Sequence, residues 1–413
     1  MEIAIFVNTF PAISETFILD QITGLIDLGY TVKIFAFNKC KDSKIHSDIY
    51  KYKLLENAYY IDIPYNNLIR IYKAVIIILK YIIKHPIIIF KALNFVKYKK
   101  LALTLRLLFC IEPFLKEHFN IIHCHFGPNG IIAAYIREIL KLETKIITTF
   151  HGYDLTSELK MKSNTIYKHL FENGDLFLPI NEYFRNKLID LGCNKEKIIV
   201  HHMGIELNKF EFHNKMRPNN CTIKLLTVGR LVEKKGHEYV IKALHRLLEK
   251  YDNLRYIIAG DGPLSEKLKN LIVNLDLSKY VMFIGAATDC EVVDLYNQAH
   301  IFILHSIAAS NGDMEGTPVV LMEAQACGLP IISTYHSGIP EVVKDGKSGF
   351  LVPERDVDAL AEKMEYLINH PELWPEMGRA GRRFVEEKYD IVKLNKRLER
   401  IYEALVNNNF SEL

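Results

Sequence analysis

Two carboxylates, Glu315 and Glu323, stand eight residues apart in EGTPVVLME, and the residues between them read as the start of a helix. Thr317 is a good N-cap and Pro318 suits the first helical position. Gly328, with Pro330 beyond it, predicts an end near Cys327. A helix start presents unpaired N–H donors and the positive end of the dipole, so Gly316, Thr317, Pro318, Val319 and Val320 predict an anion cradle. Glu315 just precedes it, and Glu323 lies about one and a half turns in. Amides for phosphates and carboxylates for hydroxyls together suit a sugar diphosphate. A capped helix with two surface glutamates has the same spacing, and spacing alone leaves both readings open.

GRLVEKKG puts Arg230 directly after a predicted strand and Lys235 before a helix. A guanidinium forks onto phosphate oxygens and an ammonium acts as a point charge, so the pair suits a departing diphosphate. Two solvated bases in a loop are the plain alternative. No G-x-x-x-x-G-K-[ST] loop is present, and GDGPLS lacks the third glycine of a dinucleotide fingerprint. His151 precedes Gly152, which lets backbone approach a ligand, although a core or capping histidine fits as well. His123 and His125 alternate and can share one face of a strand, but no third metal ligand follows at a suitable spacing. The D-x-D at Asp356 and Asp358 reads as the capped start of a surface helix.

The elements that must carry these residues alternate between strand and helix. EIAIFV, TVKIFAF, IIHCHF, KIITTF, LFLPI and KIIVHHM form one series of predicted strands. TIKLLTVGR, LRYIIAGDGP, VMFIGA, HIFILHS and LPIISTY form a second. Alternation with helices predicts parallel sheets covered on both faces, and hence α/β architecture with two Rossmann-like domains facing across a cleft. The expected division is 1–205, 206–389 and a closing segment 390–413, which overlaps a helical run over 384–407. Ligands of open parallel sheets bind beyond the carboxyl ends of the strands. NTFPAISET, HCHFG, HGYD, GRLVEKKG, GDGP, the loop from Gly285 to Asp289 and the segment from His305 to Glu323 therefore become the rim.

The 413 residues suffice for two domains, and 49% hydrophobic content suffices for large cores. Cys40, Cys110, Cys124, Cys193, Cys221, Cys290 and Cys327 include no C-x-x-C pair, which predicts reduced thiols in a cytosol. MEIAIFVNTF lacks the basic and long apolar regions of a signal peptide. Residues 1–200 hold 26 Lys and Arg against 19 Asp and Glu, a net +7, whereas residues 201–413 hold 26 against 30, a net −4. Between Ile63 and Ile111 there is no acid, while nine bases interrupt apolar runs such as AVIIILKYII. No run reaches the roughly 18 residues of a spanning helix, so the stretch predicts helices lying on an anionic membrane surface. Core helices with lysines on the wet face are the alternative. Nucleic acid is not an expected partner.

Taken together, EGTPVVLMEAQACGLPIISTYHSGIPEVV, DGKSGFLVPERD, GRLVEKKG, GDGP and the closing helix resemble the retaining nucleotide-sugar glycosyltransferases of family 4, with the GT-B fold. The resemblance covers nearly the whole chain. FPAISETFI, HCHFG and HGYDL look like the subgroup that builds colanic acid and related exopolysaccharides. Thr317-Pro318 stands where many members carry Phe and Gly, a difference beside the donor sugar.

The resemblance implies that Arg230, Lys235 and the amides at Thr317 to Val319 hold the donor diphosphate. Glu323 would hold the ribose, Glu315 the sugar hydroxyls, and Gly285 and Ala286 would lie against the base. His151 would sit near the anomeric carbon, and Ser14, Glu15 and Thr16 would line the cleft floor. It also implies a final helix crossing back to the first domain, no bound metal or other cofactor, and a UDP- or GDP-sugar as co-substrate. The acceptor would be a saccharide, in particular a lipid-linked one at the cytoplasmic face of the cell membrane. A non-hydrolysing nucleotide-sugar epimerase shares the two-domain fold but lacks the E-x₇-E frame. A non-catalytic membrane scaffold would not need Arg230, Lys235, Glu315 and Glu323 together.

Overall fold

The computed structural model describes residues 1–12, 15–40, 46–217 and 222–409. In the first half six strands form: β1 (Glu2–Phe10), β2 (Thr31–Lys39), β3 (Ala58–Tyr60), β4 (Ile121–His125), β5 (Lys145–Phe150) and β6 (Leu176–Pro179). They pair in the order β3-β2-β1-β4-β5-β6. The second half repeats the arrangement with β7 (Ile223–Val228), β8 (Leu254–Ala259), β9 (Val281–Gly285), β10 (Ile301–Ile303), β11 (Ile331–Thr334) and β12 (Gly349–Val352), in the order β12-β11-β10-β7-β8-β9. Every pairing is parallel. Parallel neighbours require crossovers, and the crossover helices bury both faces of each sheet, so central strands such as β4 are apolar or buried throughout. The expected pair of Rossmann-like domains is what forms.

Three local readings change. KIIVHHM is not a seventh strand of the first sheet but an extended segment beside β6, with Ile199 N–H donating to Phe177 and His201 N–H to Pro179. The edge strands β3 and β12 are only three and four residues long, too short to stand out in a pattern of period two. The run over 384–407 is two helices, Trp374–Lys388 and Ile391–Val406. The break falls at Tyr389 and Asp390 because that backbone pairs with Ile205, and the Asp390 carboxylate caps the second helix at the Val392 amide, 2.9 Å away. This last helix lies on the first domain: Leu398, Ile401, Tyr402 and Leu405 share a core with Ile3, Ile5, Ile18 and Ile22.

Residues 63–111 form the helices Asn67–Tyr81, Pro86–Ala92, Phe95–Tyr98, Lys100–Leu103 and Arg106–Ile111. Their inner side chains, among them Ala74, Ile77, Tyr81, Ile89 and Ala92, join the core on one face of the first sheet. No helix among the described residues is long and apolar enough to cross a membrane.

Candidate active site

The loop after β7 carries Arg230 at the surface, then makes a 3-10 turn, Glu233–Lys235, before the helix His237–Leu247. Gly236 closes that turn at φ +63°, where a side chain would also collide with the His305 carbonyl. The GDGP turn braces the loop: Leu231 N–H donates to Asp261 O at 3.0 Å, and Leu264 N–H to Leu231 O at 3.0 Å. Arg230 makes no ion pair among the described residues. Lys235 is mostly buried, with its ammonium 3.1 Å from Glu315 Oε1. Lys234 bridges Asp313 at 3.1 Å and Glu315 at 4.0 Å.

Glu315 is buried and doubly anchored. Its amide donates to His336 Nε2 at 3.1 Å, which leaves the His336 proton on Nδ1, facing Glu354 Oε1 at 2.6 Å. Burial alone would raise the Glu315 pKa, but the Lys235 and Lys234 ammonium groups outweigh it and hold the carboxyl below its ordinary range.

The helix after Glu315 runs Val319–Ala326, with Pro318 rather than Thr317 at the cap and no side-chain cap. Thr317 does not cap it because its hydroxyl is engaged elsewhere: Asn181 Nδ2 donates to Thr317 Oγ1 at 3.3 Å and to Gly316 O at 3.1 Å. The other end follows expectation, with Cys327 as C-cap and Gly328 left-handed at φ +81°. The first-turn amides of Val319 and Val320 are half-buried and have no partner inside the helix.

The first domain closes over this helix start. A Cβ on Gly316 would lie 2.5 Å from the carbonyl oxygen of His151, so only glycine permits the approach. Glu182 N–H donates to Glu341 Oε1 at 2.9 Å across the same seam. The Asp154 carboxylate shapes the HGYD turn by accepting from the amides of His151 (3.1 Å), Gly152 (2.9 Å) and Gly127 (3.0 Å). The His151 ring lies 4.8 Å from each of Phe17 and Phe126, and burial lowers its pKa far enough to keep it neutral. His123 and His125 do share a face, but with protein partners: Thr149 and Tyr402 for His123, and His151 for His125. No group of three metal-ligating side chains occurs among the described residues.

A cavity of about 280 Å³ joins the two rims. Thr9, Glu15 and Thr16 line it from the first domain, and Ala286, Thr288 and Asp289 from the second. Gly285, the last residue of β9, has φ +78° and directly precedes the lining residue Ala286. His46 Nε2 faces Asp289 Oδ2 at 3.4 Å across its mouth. Ser14 lies outside the described residues. Burial pushes the Glu15 carboxyl up to about 7. Glu323 is also pushed up to about 7 by burial, and Asp289 and Asp20 reinforce the rise, although it accepts from Tyr296 Oη at 2.7 Å. Asp20 itself rises to about 6, chiefly by burial.

The folded chain thus gathers Lys235, Glu315, Gly316 and His151 at one seam, and Glu15, Thr16 and Ala286 around one cavity. Asn181, Tyr296, His336 and Lys234 take part without having been picked out by sequence. Asn181 lies just past the carboxyl end of β6 and Lys234 inside a basic loop, so both carried a positional signal. Tyr296 and His336 carried none.

Two Rossmann-like domains, the first closed over a helix start of the second, define a GT-B architecture. A model described as group 1 glycosyl transferases matches residues 208–384, and one described as Glycosyltransferase Family 4 matches residues 14–209. WcaL of Salmonella typhimurium, a candidate glycosyltransferase of colanic acid biosynthesis, is 36% identical over 98% of this chain and 100% of its own length. The amylovoran biosynthesis glycosyltransferase AmsK of Erwinia amylovora is 37% identical over 87% of this chain and 89% of its own. The chain therefore belongs to glycosyltransferase family 4. Anabaena Alr3699/HepE, solved with UDP and glucose, superposes with a TM-score of 0.72 at 16% identity, covering 98% of this chain and 100% of that one. Sucrose-phosphate synthase from Thermosynechococcus elongatus gives 0.73 at 18%, covering 99% and 100%. Both likenesses concern the fold.

Proposed function

We propose that this glycosyltransferase moves a hexose-type sugar from a UDP- or GDP-sugar to a saccharide acceptor, with retention of configuration, in bacterial surface or exopolysaccharide synthesis. One observation carries the reading: the Val319–Ala326 helix start and Lys235 meet Glu315 directly beneath the His151 carbonyl. The names of WcaL and AmsK support the polymer class, and the UDP and glucose bound to Alr3699/HepE support the donor class.

Arg230, Lys235 and the amides at Gly316 to Val319, where Pro318 contributes shape rather than a donor, would meet charge developing on the leaving diphosphate. Lys235 would exchange Glu315 for a phosphate oxygen, freeing that carboxylate for sugar hydroxyls. Glu323 would accept from the ribose, and the base would enter the cavity beside Ala286. Glu15 and Thr16 form the wall opposite. Attack by the acceptor hydroxyl on the face that the diphosphate leaves gives retention without a covalent carboxylate nucleophile or a metal ion. A thermal-shift panel of UDP-, GDP- and ADP-sugars, followed by product analysis, tests the reading. Stabilisation by one donor and transfer from it are expected; no shift with any donor would overturn the assignment.

The acceptor we assign is lipid-linked, with residues 63–111 seated on the cytoplasmic leaflet. More than half of the exposed large apolar side chains among the described residues fall between Tyr65 and Leu103. On the Asn67–Tyr81 helix and just after it, Leu68, Tyr72, Val75, Leu79 and Ile83 recur every three or four residues on the outer side. Three of the nine bases are neutralised by acids outside the acid-free stretch: Lys73 by Asp62, Lys80 by Glu112 and Lys97 by Glu138. Lys84, Lys91, Lys99 and Lys100 make no ion pair among the described residues. An apolar face fringed by unpaired lysines fits the headgroup region of an anionic bilayer.

A further inference from the structure

We propose that Asn181, from the first domain, fixes the orientation of the Gly316–Thr317 peptide of the second, and so keeps the Thr317 N–H free for the donor diphosphate. The role at the diphosphate rests on the glycosyl-transfer reading. Asn181 lies two residues past β6 and is fully buried. Its Oδ1 accepts from the Phe184 amide at 2.8 Å and caps the helix Glu182–Asp190. Its Nδ2 donates to Gly316 O at 3.1 Å and to Thr317 Oγ1 at 3.3 Å. These partners fix which side-chain atom is which. Turning the amide over would set its NH₂ group against the Phe184 N–H and its oxygen against the Gly316 carbonyl.

A trans peptide is planar, with its C=O and N–H pointing in opposite directions. The only cis bond among the described residues is Phe10–Pro11, so Gly316–Thr317 is trans. Holding the Gly316 carbonyl toward Asn181 therefore turns the Thr317 N–H away from it. That N–H has no acceptor among the described residues. Pro318 has no N–H to replace it, and the next donor is Val319. Glycine restrains its own backbone least, so Gly316 does not itself prevent the peptide from rotating. The restraint comes from across the seam. Glu315 for the sugar and Glu323 for the ribose order the donor along this segment, so Thr317 meets the phosphate that bears the sugar.

The second domain is shaped to admit the contact. A Cβ on Gly338 would lie 2.3 Å from Asn181 Nδ2 and 2.7 Å from Gly316 O, so the bond exists because position 338 has no side chain. A Cβ on Gly316 would in turn meet Ile180 Cδ1 at 2.7 Å. Glu341 makes a separate contact across the seam, accepting from the Glu182 amide at 2.9 Å on the same helix but not from the Gly316–Thr317 peptide. Asn181 is a positioning residue: it acts on the phosphate site through that peptide.

The experiment is calorimetry of the full chain with UDP against UMP and GDP against GMP. Asn181→Ser keeps a capping oxygen but lacks the amide donors. Its diphosphate affinity should fall about tenfold or more, the loss of one hydrogen bond to a charged group, with monophosphate affinity within about twofold of wild type. Gly338→Ala, which fills the slot from the other domain, should do the same. Glu341→Ala removes a seam contact without touching the peptide and should keep the wild-type ratio of diphosphate to monophosphate affinity. A folded Asn181→Ser or Gly338→Ala with the wild-type ratio overturns the proposal, and so does an equal loss in Glu341→Ala. In wild type labelled at threonine nitrogen, the Thr317 amide signal, identified by its loss in Thr317→Val, should move with the diphosphate and stay in place with the monophosphate. A signal that ignores a bound diphosphate overturns the proposal even where neither variant folds. If no nucleotide binds the wild type, the glycosyl-transfer reading fails and this role with it, whereas an unaltered ratio in the variants removes this role alone.

Discussion

The Lys235 ammonium lies 3.1 Å from Glu315 Oε1, joining the loop after β7 to the segment that leads into the Val319–Ala326 helix. Glu315 is buried there, so the contact neutralises a carboxylate that has little access to water. The same ammonium is the one that a diphosphate would claim, so donor binding would compete with folding for a single side chain.

Lys235→Ala and Arg230→Ala should each lower kcat/KM by about a hundredfold or more, on the order of 3 kcal/mol of transition-state stabilisation. Their stabilities should diverge. Lys235→Ala leaves Glu315 buried with only the more distant Lys234 and should lower Tm, whereas Arg230 is exposed and its loss should leave Tm unchanged. Wild-type kcat/KM in both variants would remove the diphosphate role.

Burial pushes the Glu323 carboxyl from its ordinary value of 4.5 up to about 7. A raised folded pKa contributes stability that is complete below the unfolded value and is lost as pH rises through about 7. Glu323→Gln should therefore raise Tm at about pH 8 and change it little at about pH 4. Nucleotide binding should run the other way, because a ribose hydroxyl donates best to the ionised form. Wild-type affinity should weaken below pH 7, by up to about tenfold per unit, and the Gln variant should lose that slope. Calorimetry across pH reads both; a pH-independent wild type would sink the ribose assignment.

The glycoside product should keep the donor's anomeric configuration, and EDTA should leave the rate intact. Proton NMR of fresh product reads the first, and an inverted centre would refute retention. Activity lost to chelator and restored by manganese would refute metal independence.

Wild-type protein should co-sediment with phosphatidylglycerol vesicles at low salt and retain part of that binding at high salt, since apolar insertion is screened less than charge. Changing Lys84, Lys91, Lys99 and Lys100 to Glu should remove the salt-sensitive part, roughly 1 kcal/mol per engaged base. Leu79→Glu with Ile83→Glu should remove the rest. A protein that stays in the supernatant at low salt has no such surface, and a dimer of unchanged solubility would mean that a second copy covers it.

Sequence alone determined what depends on neighbours along the chain. Alternating apolar runs specify two parallel sheets because each strand or helix must bury its own pattern. Gly328 ends its helix because a left-handed residue is needed at that point, whatever packs nearby. Tertiary structure decided every question of partnership. Thr317 looks like a cap until Asn181, 136 residues earlier, occupies its hydroxyl. The stretch 63–111 looks uniformly basic until the fold brings Asp62, Glu112 and Glu138 to three of its lysines. His123 and His125 alternate visibly, yet the bond from His125 to His151 exists only because β4 pairs in register with β5, setting His125 opposite Thr149. Protonation is the extreme case: the approach of Glu323 and Glu15 to neutral titration comes from burial by residues far away in the chain, and local sequence does not encode burial.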